Sequence, residues 1–268
     1  MLDFKNKTII ITGASRGIGK VLAVKLARRG ANLVLAARDR EALETTASEC
    51  IKVGAKAIVV FTDVTSKEGC EKLIADSVAA FGTIACLINN AGISMWARFE
   101  EIQDLSMFEK LMQVNYLGAV YCTYYALPYL KESRGLLVAV SSLTGKTGVP
   151  TRSGYAASKH ALQGFFDSLR IELKDTGVDV LVVSPGFVAT DIRDRIIGSK
   201  GKPVRATLNK ERHSMSPELC ADLIIEAMSQ RRRELVMTFK AKLGLWLKLL
   251  APNLVDKIAA RAVSSQNN

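Results

Sequence analysis

TIIITGASRGIG, residues 8–19, is a β-branched run that stops on glycines and continues into the helical pattern KVLAVKLARRG. A strand that turns through glycines into a helix lets the backbone approach a pyrophosphate, whose charge then rests at the helix N-terminus. The spacing, Gly13, Gly17 and Gly19, is GxxxGxG rather than the commoner GxGxxG. A glycine-rich turn alone is often only a tight connection. Its place directly after the first strand of an alternating chain gives it weight.

Outward from this turn, short apolar runs alternate with helical stretches. Residues 32–36, 57–61, 84–89, 136–141 and 178–184 read as strands. Their near-continuous hydrophobicity marks strands buried on both faces, as in a parallel sheet. Gly30, Gly54 and Gly82 stand at helix C-termini and Asp39 at an N-cap. The fold class this predicts is α/β, a doubly wound parallel sheet with helices on both faces. With no repeat and no dividing linker, residues 1–268 read as one domain. After Pro185 the rhythm changes. Residues 193–215 are polar, basic and punctuated by Gly and Pro, and read as a mobile loop over the substrate. Residues 216–230 form a helix with Pro217 at N1, residues 234–239 a last strand, and 240–268 a tail.

The 268 residues are 49% apolar and 24% charged, which excludes disorder. Five widely spaced cysteines without a CxxC pair predict free thiols, and two histidines leave no basis for a His-based metal centre. No h-region opens the chain and no apolar run reaches the ~18 residues of a membrane span, so a cytoplasmic protein is expected. Residues 193–268 hold +8 of the net charge of +11. That bias suits an anionic surface or simple solubility. Residues 193–238 contain no aromatic among the cations, which weighs against nucleic acid.

Strand two ends Ala36-Ala37-Arg38, with no carboxylate before Asp39, and Arg16 lies inside the glycine turn. Two guanidinium groups there suit a ribose 2′-phosphate rather than a 2′-hydroxyl. Further on, Tyr155-Ala-Ala-Ser-Lys159 opens the helical pattern YAASKHALQGFFDSLRIELK. Positions i and i+4 share a face, and a nearby ammonium lowers a phenol that ordinarily titrates near ~10. Such a Tyr can give a proton to a carbonyl oxygen or take one from an alcohol. Ser142 ends the fifth strand, at the sheet edge where α/β proteins bind ligands, and can hold the same oxygen. His160 reads as a surface residue, and Cys86 and Cys122 as inert core thiols.

Taken together these motifs resemble the short-chain dehydrogenase/reductase family, in its order and spacing over residues ~5–192. The resemblance implies a Rossmann-type fold and an NADP(H)-preferring enzyme. It implies that Gly13, Ser15, Arg16, Gly17, Ile18, Gly19 and Arg38 bind cofactor, with Asp63 and Val64 at the adenine. Asn89-Asn90-Ala91-Gly92 resembles the family's NNAG segment, placing Asn89, Ala91 and Gly92 against the cofactor. Asn115 is similar to a helix asparagine that supports a water and Lys159 in proton relay. Ser142, Tyr155 and Lys159 match the catalytic residues, Lys159 also binding the nicotinamide ribose. In Pro185-Gly186-Phe187-Val188-Ala189-Thr190, residues Pro185, Gly186, Val188 and Thr190 are implied at the nicotinamide. Interconversion of a ketone or aldehyde with an alcohol follows. The alternative is a catalytically idle dinucleotide sensor or binding module.

The tail KAKLGLWLKLLAPNLVDKIAARAV, residues 240–263, sets Leu243, Trp246, Leu247 and Leu250 on one helical face among lysines, and Pro252 breaks it. Such a helix lies on an anionic membrane. It equally suits a cover for the substrate pocket or a subunit interface. Similar tails occur in family members that handle lipids or steroids, which implies a hydrophobic substrate and a homodimer or homotetramer.

Overall fold

A computed structural model describes residues 3–190, 196–204 and 214–264, with side chains at 203–204 and 262–264 excepted. Strand β1 (Thr8–Thr12) is buried along its length. Strand side chains alternate in direction. Ile9 and Ile11 therefore pack into one apolar cluster and Ile10 into another, on the opposite face. Helix α1 (Gly17–Ala27) follows the glycine turn and leads to β2 (Asn32–Ala37). Asp39 caps α2 (Arg40–Lys52) by accepting from Ala42 N at 3.2 Å, and β3 (Ala57–Phe61) comes next. Ser66 caps α3 (Lys67–Phe81), which ends on left-handed Gly82 before β4 (Cys86–Asn89).

Beyond β5 (Ser94–Met95), helices α4 (Ser106–Met112) and α5 (Gly118–Ser133) are joined by one π-helical turn, Gln113–Leu117. Strand β6 (Leu136–Val140), helix α6 (Ser153–Glu172) and β7 (Asp179–Ser184) complete the repeated units. After β8 (Ile196–Ile197) and β9 (Pro203–Val204), Ser216 caps α7 (Pro217–Ser229), which has Pro217 in its first turn. Strand β10 (Glu234–Val236) then gives way to α8 (Phe239–Leu250) and α9 (Pro252–Ser264).

The main sheet has seven strands in the order β10-β7-β6-β4-β1-β2-β3, all paired in parallel. The direction of winding reverses between β1 and β4, where Ile10 lies level with both Val34 and Leu87. Helices α1, α2 and α7 supply Leu22, Leu43 and Ile224 to one face; α3, α5 and α6 supply Leu73, Leu130 and Phe166 to the other. The doubly wound α/β expectation holds. All five cysteines are buried free thiols, and burial pushes the Cys86 thiol up, which keeps it inert.

Two expectations need correction. The last strand stops at Val236 rather than running to 239, because the Thr238 hydroxyl accepts from Ala241 N and starts α8 there. The loop expected over 193–215 falls partly on 193–195 and 205–213, outside the described residues. Its described part is not open loop. Ile196 and Ile197 are buried, and β8 pairs with β5 on one side and β9 on the other.

Candidate active site

The glycine turn is shaped by backbone crowding. Gly13 has φ +67°, and a Cβ there would stand 2.9 Å from Ala91 Cα; one on Gly19 would meet Gly13 O at 2.3 Å. Side chains are excluded from this floor, so backbone and ligand can approach each other. Thr12 locks the turn to the β4 end: its Oγ1 accepts from Asn90 N and Ala91 N, both at 3.0 Å. Asn90 Nδ2 in turn donates to the carbonyls of Thr12 and Gly13. Neither Thr12 nor Asn90 was singled out from sequence, although both sit inside the quoted motifs.

Over this floor, at the winding reversal, opens a cleft. Its walls include the expected Gly13, Ser15, Arg16, Gly17, Ile18, Arg38, Asp63, Val64, Ala91, Gly92 and Thr190. Ala37, Asp39, Thr62, Ile93 and Val114 line it too and were not foreseen. Position and the glycine floor fit an extended dinucleotide. Asn89 stands apart: it is buried, and its Nδ2 donates to Thr123 Oγ1 at 3.1 Å, away from the cleft. Pro185, Gly186 and Val188 lie beyond the cleft wall, where Pro185 O accepts from Leu143 N and Val188 bridges to Met215.

The two arginines do not present bare charge. Arg16 is ion-paired to Asp39, and Arg38 Nη1 lies 3.8 Å from Asp63 Oδ2. Both pairs are solvent-accessible, where such contacts are worth ~1 kcal/mol or less and exchange readily for a better anion. The sequence expectation treated Asp39 only as a helix cap. It is also the partner of Arg16.

The expected proton machinery converges beside the cleft. A Cβ on Gly92 would meet Asn115 Oδ1 at 3.2 Å and Lys159 Nζ at 3.7 Å, so the cleft wall touches both residues. Lys159 is buried, its Nζ donates to Val140 O at 2.8 Å, and burial pushes its ammonium down to about 8. Asn115 lies on the π turn, which the sequence pattern did not reveal. Its Oδ1 accepts from Ile93 N at 2.8 Å, and its Nδ2 donates to Ile93 O and to Ser158 Oγ. Asn115 thus braces the cleft wall against α6.

Ser142, two residues past β6, helps to pull the Tyr155 phenol down, and its Oγ accepts from Thr144 N. One expectation reverses here. Burial dominates the Tyr155 phenol and pushes it above its ordinary value, with Arg152 and then Ser142 pulling it back. Lys159 lies 5.9 Å from the Tyr155 ring centroid and spends a hydrogen bond on Val140. Among the charges that pull the Tyr155 phenol back, Arg152 comes first; it stands three residues earlier, directly before α6. His160, exposed on α6 with Nδ1 against Ala156 O, is a surface residue as expected.

The short chain dehydrogenase family model matches residues 7–200. Dehydrogenase/reductase SDR family protein 7-like of Dictyostelium discoideum is 35% identical over 269 residues, covering 98% of this chain and 84% of that one. The 11-beta-hydroxysteroid dehydrogenase A of Sesamum indicum is 33% identical over 260 residues, covering 95% and 74%. Among solved structures, a short chain dehydrogenase/reductase from Burkholderia phymatum in complex with NAD superposes with TM-score 0.85 at 27% identity, over 95% of this chain and 96% of that one. An alcohol dehydrogenase from Thermococcus sibiricus, complexed with 5-hydroxy-NADP, gives 0.75 at 29%, over 86% and 95%. The fold agrees with these matches, and the chain belongs to the short chain dehydrogenase family, a family of oxidoreductases.

Proposed function

We propose that the protein is an NADP(H)-dependent oxidoreductase that interconverts a hydrophobic ketone or aldehyde with its alcohol, using one domain over residues 1–268. What supports this reading is that Tyr155 and Lys159 stand together on α6 beside Ser142, with the Lys159 ammonium behind Gly92 of the cleft wall. A nicotinamide bound there supplies or accepts the hydride. Ser142 holds the substrate oxygen by its hydroxyl, and Tyr155 gives that oxygen a proton in reduction or takes it in oxidation. Lys159, largely cationic at neutral pH, binds the nicotinamide ribose and favours the phenolate; Asn115 braces it through Gly92 and Ser158. Gly13, Ser15, Gly17, Ile18 and Gly19 hold the pyrophosphate. Asp63 and Val64 hold the adenine, with Ala91, Gly92 and Thr190 toward the nicotinamide; Pro185, Gly186 and Val188 carry the segment that presents Thr190, and Asn89 anchors the end of β4 through Thr123.

Arg16 and Arg38 support NADP(H) over NAD(H), by exchanging Asp39 and Asp63 for a 2′-phosphate, which offers more charge and bidentate geometry. Titration of the protein with NADPH and NADH should show tighter NADPH binding, and Arg38→Asp should abolish or reverse the difference. Equal wild-type affinities refute the arginine argument. A hydrophobic substrate is supported by the aromatic rings of Trp96 and Phe187, gathered about Arg152 at the start of α6, and by the names of the steroid-dehydrogenase relatives. A homodimer or homotetramer, cytoplasmic and touching membranes peripherally through α8 and α9, completes the proposal. A panel of ketones and alcohols followed by nicotinamide absorbance tests the reaction. Cofactor binding without turnover on any of them would favour the idle sensor instead.

A further inference from the structure

Two buried nucleophiles take no part in the reaction just described. Cys70 lies near the start of α3 and Cys122 on α5, and both are fully buried. Their sulfurs meet. The Cys122 thiol donates to Cys70 Sγ at 3.4 Å, and the Cys70 thiol donates onward to Val64 O at 3.5 Å. Sequence position alone makes Cys122 an inert core thiol; a second thiol against it changes its chemistry. Of the five free cysteines, these are the pair in sulfur-to-sulfur contact among the described residues.

The pair sits behind the cleft wall. Asp63 and Val64 line the cleft, and the helices behind them are packed without slack. A Cβ on Gly69, next to Cys70, would stand 3.1 Å from Asp63 O; one on Gly118, a helical turn before Cys122, would stand 2.8 Å from Val64 Cγ2. Helices α3 and α5 thus each press on Asp63 and Val64 at a glycine, one beside each cysteine. A disulfide brings its sulfurs to about 2.05 Å, roughly 1.4 Å closer than these stand. That contraction draws α3 and α5 together and takes from Val64 O its thiol donor. With no room on either helix, Asp63 and Val64 give way instead.

We infer that Cys70 and Cys122 are a redox site: hydrogen peroxide joins them as a disulfide, which shifts Asp63 and Val64 and weakens nucleotide binding in the cleft. The inference rests on Asp63 and Val64 holding the adenine, as proposed above. In the first step the Cys70 sulfur gives an electron pair to one peroxide oxygen and the O–O bond breaks. The other oxygen leaves as water with the Cys70 proton, and Cys70 becomes a sulfenic acid. The Cys122 sulfur then attacks the Cys70 sulfur, the S–S bond forms, and the S–O bond breaks. That oxygen leaves as a second water with the Cys122 proton. Two thiols are oxidised by two electrons, and the peroxide is reduced to water.

Cys70 is the attacking sulfur. The hydrogen bond it accepts from Cys122 holds its thiol down and that of Cys122 up, against burial and the charges of Asp63 and Glu68. The start of a helix also favours a thiolate. Cys50, Cys86 and Cys220 are pushed up by burial and remain thiols. Because both reacting sulfurs are buried, the reaction waits on local opening and favours a small, uncharged oxidant over a bulky disulfide. The coupling runs both ways, so bound nucleotide disfavours the disulfide by the same factor.

The test needs no substrate. The full chain is treated with hydrogen peroxide, cleared of it with catalase and digested without reductant. A Cys70–Cys122 cross-link, lighter by two hydrogens than the thiols, should appear in the mass spectrum. NADPH titration of the same sample should show binding weakened about fivefold or more, the low end of coupling between sites, and dithiothreitol should restore it. Cys122→Ala, or Cys70→Ala should the first fold poorly, should keep its NADPH affinity through the same treatment. No cross-link, a cross-link with unchanged affinity, or the same loss in the alanine variant overturns the inference. The adenine reading fails separately, if Asp63→Ala leaves the NADPH affinity of the reduced protein unchanged.

Discussion

Helices α6 and α8 carry similar amphipathic patterns and meet opposite fates. Helix α6 buries Ala156, Leu162, Phe166 and Leu169, and with them the functional Lys159. Helix α8 buries no residue; Trp246 is 69% exposed and Leu250 86%. Connectivity explains the difference. Helix α6 runs between β6 and β7, neighbours in the sheet, so closing that parallel unit lays it on the sheet face. Helix α8 follows β10, the edge strand, and among the described residues no later strand draws it inward. Lys248 Nζ donates to Lys146 O at 2.8 Å and tethers it, while Leu245, Trp246 and Leu249 stand over a groove beside Leu235 and Val236. An apolar stripe says that a face gains by cover. The order of strands decides whether the chain provides that cover.

The largest effect expected lies on α6. Tyr155→Phe keeps the ring and removes the proton, so turnover on an established substrate should fall by roughly 10²–10⁴ while cofactor still binds. Near-wild-type turnover would remove Tyr155 from the mechanism. The direct contrast of the two helices comes next. Phe166→Ala, at a fully buried site, should cost about 3–5 kcal/mol in denaturant unfolding, and Trp246→Ala within about 0.5 kcal/mol. Comparable losses would mean that α8 is covered after all, by its own fold or by a second subunit.

Burial of Lys159 sets a pH dependence that sharpens the comparison further. The unfolded chain keeps the Lys159 proton up to its ordinary 10.5, whereas the cofactor-free folded protein gives it up at about 8. Between those values the unfolded state binds more protons, so stability should rise with pH across about 8 to 10.5. Below pH 8 the full cost of the buried charge is present, on the order of 3 kcal/mol. In Lys159→Met this rise should vanish. Urea midpoints measured for both proteins from pH 7 to 10 check it, and parallel curves would show that Lys159 is well solvated.

Much of this was legible in the residues. Thr8–Thr12 and the glycines after it announced β1, the turn and α1, because continuous β-branched burial and close backbone approach both need particular residue types. The i to i+4 spacing of Tyr155 and Lys159 placed both on one helix. What escaped was of three kinds. The π turn that carries Asn115 depends on one extra residue inside a long helical pattern, which periodicity does not resolve. The pairing of β5 with β8 joins two-residue strands about a hundred positions apart, too short to show alternation. The influence of Arg152 on Tyr155 has no signature in the Tyr155–Lys159 spacing, and the structure directs Lys159 to Val140 O.

The smallest effects per residue belong to the tail, and there the comparison can be broken outright. If α8 and α9 lie on a membrane, binding combines burial of Phe239, Leu243, Trp246 and Leu250 with attraction of Lys240, Lys242, Lys248, Lys257 and Arg261 to anionic lipid. The second contribution is about 1 kcal/mol per cation near the surface and is screened by salt. No helix among the described residues is long and apolar enough to cross a bilayer, so surface binding is the form to test. With Trp96 replaced by Phe, Trp246 is the single indole reporter. Anionic vesicles should shift its emission to the blue and carry the protein upward in flotation. Neutral vesicles or raised salt should do so less, and truncation after Val236 should abolish the effect. A cover made by a second subunit gives the opposite pattern: Trp246 already shielded without lipid, no flotation, and an oligomer that dissociates on truncation. In that outcome the exposed stripe of α8 is an interface between copies, and the missing cover is a protein surface.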